Sequence, residues 1–348
     1  MPGVQRGITS SMSGFPVRES LESEATLLMP SDTPLRNRLP RVAGSGKAAA
    51  WKQVTSQGGG WAANPDQPGS AGAASVFFAE GGAPAELTST YVNKSAAYKL
   101  LGQRGSVTGF AMAAGASFQD QLDTEKLHAL RNLMILEENA LINGNSTSTA
   151  APWGDGTTAL SFDGLLTLTA TANGVPADQI QTAVGALTLA HLDAQLSKVW
   201  RAGGRGMYMM MNGQEVQSLR NQLQASDLMS RALVVDQSKA VAGLHVEHYV
   251  HPLSGELVQI IVSRFMPAGT ILFGCDFGPD GRTAAEVEVL PQVLPGAVTA
   301  ERVEGYVMQE LAPAWNSPQV YGFIVSVFEV LKMKNALLFG KSTGVTAS

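Results

Sequence analysis

The sequence predicts an α+β fold, and three observations carry that prediction. Helical and strand-like segments are mixed along the chain without the regular strand-helix-strand alternation of a parallel sheet. One long helical stretch, about 118–143, stands among much shorter elements. Near the end, AAEVEVLPQVL and FIVSVFEVLKMKN alternate like two strands with one buried face.

Taken in order, residues 1 to about 46 mix Ser, Pro, Gly and both charges without periodicity. Pro34 and Pro40 in TPLRNRLPR favour an extended arm over a helix. KAAAWKQVTS and AGAASVFFAE then read as two strand-like pieces around a Gly- and Pro-rich middle at 57–72, far longer than an ordinary hairpin turn. STYVNKSAAYKLLGQRGSVTGFAM is a second strand-like reach. In the long helix Leu127, Leu130, Met134 and Leu141 form one stripe, and His128, Arg131, Glu138 and Asn139 another. Asp120 or Asp123 serves as its N-cap and Gly144 as a left-handed stop. At 1.5 Å per residue it would run roughly 35 to 40 Å. Its LMIL block predicts cover from several directions. Beyond it, FDGLLTLTATANG reads as a strand and LTLAHLDAQLSKVWRAGG as a helix ended by Gly203 and Gly204. MYMMMN reads as a short buried strand and GQEVQSLRNQL as a helix. VEHYVHPLSGELVQIIVSRF reads as a hairpin turning at Ser254 and Gly255.

Composition narrows the function. The 348 residues are 45% hydrophobic, enough for a large core, but only 15% charged against the usual quarter, with 37 glycines. Such a chain tends to hide surface against neighbours. A net charge of −5 gives no broad cationic footprint for nucleic acid. The lone Cys275 excludes an intrachain disulfide framework; it reads as a small buried hydrophobe in a protein folded in a reducing compartment. No apolar run approaches the ~18 residues of a membrane span, and the N-terminus lacks a secretory pattern.

Candidate chemistry is sparse. His245, His248 and His251 are spaced by three, but beside Val246, Tyr249 and Val250 they belong to a strand, where His245 and His248 face opposite ways and share no metal. AGSGKAAA departs from a phosphate loop at Arg41 and Ala48. Adjacent on a helix, Glu137 and Glu138 diverge too far to work as an acid and base pair, and read as a solvated or intersubunit polar edge. No catalytic, cofactor or metal residue is therefore assigned. Trp51 and Trp61 beside Lys52 read as interface anchors in preference to a nucleic-acid grip. Arg36, Arg38 and Arg41 read either as clamps on another subunit's carboxylates or as a solvated face. With Arg104, Glu137 and Glu138 these complete the candidate intersubunit contacts.

The order of parts, with TPLRNRLPR, YKLLGQRGSVTGFA, EENALINGNS, YVHPLSGELVQIIVSRFMPAGTILFG and FEVLKMKNALLFGKS, resembles the major capsid proteins of tailed bacteriophages, the Hong Kong 97-like fold. The resemblance implies an N-terminal arm over 1–46, an extended loop over 47–95, and a peripheral domain over 96–161 holding the spine helix. It implies an axial domain over 162–285, a return of strands to the peripheral domain over 286–334, and a C-terminal return to the axial domain over 335–348.

It further implies self-association into pentamers and hexamers of an icosahedral virion capsid around double-stranded DNA, assembled in the host cytoplasm. A portal, a separate scaffolding protein and a decoration protein would be partners, with DNA held by proximity and no membrane involved. Relatives expand after assembly, which makes Gly102, Gly105 and Gly109 candidate hinges, beside the plainer role of glycine in a twisted strand. Lys47, Lys52, Lys94 and Lys99 lie where some relatives crosslink to Asn, but no crosslink is expected. An encapsulin-type cargo shell of the same fold is the alternative; a metal enzyme using His245, His248 and His251 is the distant one.

Overall fold

The computed structural model describes residues 32–56, 78–83, 90–115, 120–225, 248–251, 254–290, 297–311 and 320–346. A short helix α1 (Pro34–Arg38) leads into strands β1 (Arg41–Ala43), β2 (Ala48–Ser56), β3 (Thr90–Ala97) and β4 (Lys99–Thr108). Helices α2 (Gly109–Gly115), α3 (Gln121–Asn143) and α4 (Leu165–Leu168) follow, then β5 (Ile180–Gln181), β6 (Gly185–Ala186), α5 (Leu189–Arg201), β7 (Arg205–Met211) and α6 (Gly213–Ala225). The remainder is strand: β8 (His248–Val250), β9 (Leu257–Val262), β10 (Thr270–Phe277), β11 (Ala285–Leu290), β12 (Ala297–Val303), β13 (Tyr306–Leu311), β14 (Val320–Met333), β15 (Gly340–Thr343) and β16 (Val345–Thr346).

Two six-stranded sheets organise the chain. In the first, the order is β1-β11-β14-β13-β12, and β4 pairs along β14 on its other edge. The second runs β5-β15-β10-β7-β9-β8. Its centre follows from MYMMM: five consecutive apolar side chains suit a strand covered on both faces, and Met207 to Met211 are all buried between β9 and β10. The mixed class expected from the sequence is the class observed.

Helix α3 packs on the first sheet and reaches toward the second. Asp120 caps it by accepting from the Leu122 and Asp123 N–H groups, and its 23 residues span about 34 Å. Lys126 ties it to Glu310 on β13, and at its far end Asn143 Nδ2 donates to the Phe265 carbonyl at 2.7 Å.

Several expectations are corrected. TPLRNRLPR contains helix α1: Pro34 suits the first helical position, where its missing N–H costs nothing. FDGLLTLTATANG forms α4 and a further single turn, not a strand; Gly164 starts α4 and Thr169 Oγ1 donates back to Leu165 O. Strand β2 pairs with β3, so the partner of KAAAWKQVTS is STYVNKSAA. GFAM is helical, in α2.

Gly144 ends α3 without a left-handed conformation, at φ −50°. It is needed for space, because a Cβ would lie 2.4 Å from Phe162 O, and one on Gly164 would lie 2.6 Å from Gly144 N. The LMIL block is covered on most sides but not all: Leu133 is buried and Met134 packs partly against the core, while Leu136 is 45% exposed, and Leu127 of the expected stripe is 50% exposed. Strands β11 and β14 are buried on both faces over much of their length, because α3 and further strands cover what the alternation alone left open.

Candidate functional site

The segment from Pro34 to Ala43 is tied to distant parts of the chain by hydrogen bonds and ion pairs. Thr33 offers no side-chain cap to α1; the carboxylate of Glu138, on α3, does so instead. Its Oε1 accepts from Leu35 N at 3.0 Å and its Oε2 from Arg36 N at 2.7 Å. Two orphan donors of a helix start are thereby satisfied by a residue more than a hundred positions away. Strand β1 then adds to the first sheet, parallel to β11, with Val287 N donating to Pro40 O and Gly44 N to Val289 O.

Three arginines leave this segment in two directions. Arg36 Nε donates to Glu137 Oε2 at 3.2 Å and to the Tyr306 hydroxyl at 3.0 Å, and Arg36 Nη2 pairs with Glu304 at 2.7 Å. Arg41 pairs with Glu137 and with Glu329 on β14. Both guanidiniums lie over the Tyr306 ring, 5.3 and 5.1 Å from its centroid. Glu137, Glu138 and Glu329 are each fully buried. Arg38 points the other way, forking onto Asp276 of β10 at 2.6 and 2.7 Å, reaching Gln259 of β9, and lying 4.5 Å from the centre of the Tyr208 ring. One helical turn therefore brackets the two sheets together.

Burial sets the electrostatics. Glu329 is held well above the ordinary carboxylate range by burial and by the facing charge of Glu137, with Arg41 opposing. Burial also raises Glu138, against the two N–H bonds it accepts. A second cluster lies on the same sheet. Lys332 bonds Glu286 directly across the β11–β14 ladder and Glu288 diagonally, Lys334 bonds Glu286, and Tyr98 donates to Glu288. Burial would raise Glu286, but its bonds to Lys334 and Lys332 outweigh that and hold it below the ordinary range.

The other sequence-derived candidates fall elsewhere. Trp51 is half-buried, with its indole N–H unpartnered among the described residues; Lys52 and Arg104 are exposed, and Trp61 lies outside the described residues. Glu137 and Glu138 form no solvated edge, and the carboxylates that Arg36, Arg38 and Arg41 clamp belong to their own chain. Gly105 sits where a Cβ would meet the Phe323 ring at 2.3 Å, a packing requirement within the paired strand β4.

His248 is exposed on β8 and His251 is buried, its ring nitrogens near Ser254 Oγ (2.9 Å) and Ser197 Oγ (3.2 Å); His245 lies outside the described residues. No group of three or more His, Cys, Asp or Glu side chains among the described residues is placed to hold a metal. Cys275 is buried, and burial pushes its thiol up to about 12.

Sequence reasoning missed Glu304, Tyr306, Asp276 and Glu329 as partners of the arginines. One signal was present: Glu329 and Lys332 stand inside the apolar run FIVSVFEVLKM, where a buried charge requires an opposite one. Strongly exposed apolar side chains include Phe110 at the start of α2, Tyr91 on β3, Val298 on β12, Phe78, and Val250 and Leu257, which pair across the β8–β9 edge of the second sheet.

The arrangement of the long helix and the two sheets is the Hong Kong 97-like fold of the solved phage capsids it resembles. The capsid of cyanophage A-1(L) shares it at 12% identity, with TM-score 0.67, covering 95% of this chain and 97% of that one. The capsid of a native GTA particle does so at 15% identity, TM-score 0.61, over 95% and 96%. The SrpI encapsulin of Synechococcus elongatus PCC 7942 is similar at 14% identity, TM-score 0.59, over 95% and 94%. No curated protein sequence matches. The model of the SU10 major capsid protein family matches residues 5–276, and the chain belongs to that family. It is a capsid shell protein, built to assemble from repeated copies.

Proposed function

We propose that the protein associates into pentamers and hexamers that close an icosahedral shell around the double-stranded DNA of a tailed phage. The family match over residues 5–276 carries this reading. The first sheet with α3 serves as the peripheral domain, α3 being the spine helix, and the second sheet as the axial domain near the ring centres. Residues 1–46 and 47–95 act as the arm and the extended loop, which contact neighbouring copies while Pro34–Ala43 stays seated in its own subunit. Many modest contacts then add through avidity. The β8–β9 edge, unpaired beyond β8 among the described residues and with Val250 56% and Leu257 64% exposed, supports association at the second sheet. Assembly takes place in the host cytoplasm with a portal and a separate scaffolding protein, and a decoration protein binds the finished shell.

Expression of the chain alone, followed by light scattering after size exclusion and negative-stain microscopy, tests association. Rings or closed shells far above the 36.5 kDa protomer are expected. A monomer that stays monomeric with a scaffolding protein supplied would sink the reading. The similarity of fold to an encapsulin keeps one alternative, separated by contents: nuclease-protected DNA from infected cells supports the virion, a folded protein cargo the compartment.

A further inference from the structure

The bracket that seats the Pro34–Ala43 segment contains more buried acid than base. Three fully buried carboxylates, Glu137 and Glu138 from α3 and Glu329 from β14, face two guanidiniums, Arg36 from α1 and Arg41 from β1. The rim adds Glu304, which takes part of the charge of Arg36, and Tyr306 contributes only a neutral hydroxyl and its ring. Lys99 of β4 stands opposite Glu329 in the ladder, but its ammonium donates to the Ala159 carbonyl at 3.4 Å and forms no ion pair with Glu329 among the described residues. Fully ionised, the cluster would bury an uncompensated negative charge, and a low-dielectric interior resolves that by holding a proton.

The hydrogen bonds show where it sits. Both oxygens of Glu138 accept backbone N–H groups, and both oxygens of Glu137 accept from guanidinium. Glu329 Oε2 takes Arg41, and Glu329 Oε1 is buried without a donor among the described residues. It is the one carboxylate of the three with an oxygen left for a proton, which can then donate to Glu137.

We propose that at neutral pH the cluster holds one proton on Glu329, that this proton seats α1 and β1 against α3 and the first sheet, and that its loss releases them. The bracket is thus a proton-controlled latch, present in the single subunit and independent of any shell. The upward shift of Glu329 by burial and by Glu137 agrees with the geometry. A carboxyl whose folded pKa lies above its unfolded one stabilises the folded state fully below the ordinary carboxylate range. That contribution is lost as pH rises through the raised value. Release therefore comes with alkalinity, opposite to ordinary acid denaturation.

The test is hydrogen exchange of the Leu35 and Arg36 amides, the donors to Glu138, in the full chain across pH 5 to 9 after correction for intrinsic exchange. In the wild type, protection falls by as much as tenfold per pH unit from above the ordinary carboxylate range up to the raised value of Glu329, and levels off beyond it. In Glu329→Gln, whose amide donates to Glu137 where the proton did, protection stays level. Parallel profiles in the two proteins, or a level one in the wild type, would overturn the proposal. Infrared spectroscopy of the wild type stands in should the variant not fold. A protonated-carboxyl C=O band at neutral pH that disappears in step with amide protection supports the latch, and its absence rejects it.

Discussion

In the second sheet, the central strands β7 and β10 bring Met207, Tyr208, Met209, Met210 and Met211 against Ile271, Leu272 and Phe273, all buried and none charged. In the first sheet, β11 and β14 carry Glu286, Glu329 and Lys332 at the same depth, and α3 adds Glu137 and Glu138. The apolar sheet is held by contact area and tolerates exchange of similar volumes. The charged sheet is held by pairs whose members are costly alone. What it gains is specificity: Arg36 and Arg41 meet their carboxylates in only one placement of the chain's beginning against α3, β13 and β14.

Removing one charge should have the largest effect. Glu137→Ala leaves Arg36 and Arg41 short of their shared partner, with an expected loss of about 3–5 kcal/mol in urea unfolding of the subunit. This loss should vary with pH, because Glu329 titrates beside it. In the apolar sheet, Leu272→Ala opens a cavity and should cost about 2–5 kcal/mol, but equally at pH 5 and pH 9. A pH-dependent cost for Leu272→Ala would erase the contrast between the sheets.

Gly105→Ala sharpens it from another side. The new methyl group meets the Phe323 ring within the first sheet, and overpacking of about 1–3 kcal/mol is expected, with the β4–β14 amides exchanging faster. Asp120→Ala should be the mildest change, about 1 kcal/mol from the lost cap of α3, with fraying confined to its first turn. Loss of protection at Asn143, at the other end of the helix, would show that α3 is less anchored by Lys126 and Asn143 than their bonds indicate.

Much of the fold was legible where local pattern and burial agree. The helix ending at Asn143, the buried MYMMM strand, α5 stopped at Gly203 and the β8–β9 hairpin with Gly255 at its turn were all readable from spacing and turn chemistry. Reading failed where a distant residue overrode the local one. Two prolines argued against a helix at TPLRNRLPR, yet Glu138 supplies the cap that this segment lacks. Gly144 looked like a left-handed stop, yet it is glycine because Gly164 and Phe162 O crowd it. The hairpin partner of β2 was misjudged because 71–80 and 90–97 are both strand-compatible by composition, and pairing is settled by what the rest of the sheet leaves available.

The candidate site divides the same way. That Arg36, Arg38 and Arg41 would seek carboxylates followed from their chemistry, and that a charge at Glu329 or Lys332 would need a partner followed from the apolar residues around it. By itself the sequence determined the mixed class, the long helix, the methionine-rich strand and the appetite of the arginines, because these depend on periodicity and side-chain type over a few turns or strands. Only the tertiary structure decided that the carboxylates lie in the same chain at Glu137, Asp276, Glu304 and Glu329. Those pairings span from about a hundred to nearly three hundred residues, and nothing local to either partner specifies the other until the sheets and α3 bring them within hydrogen-bond reach.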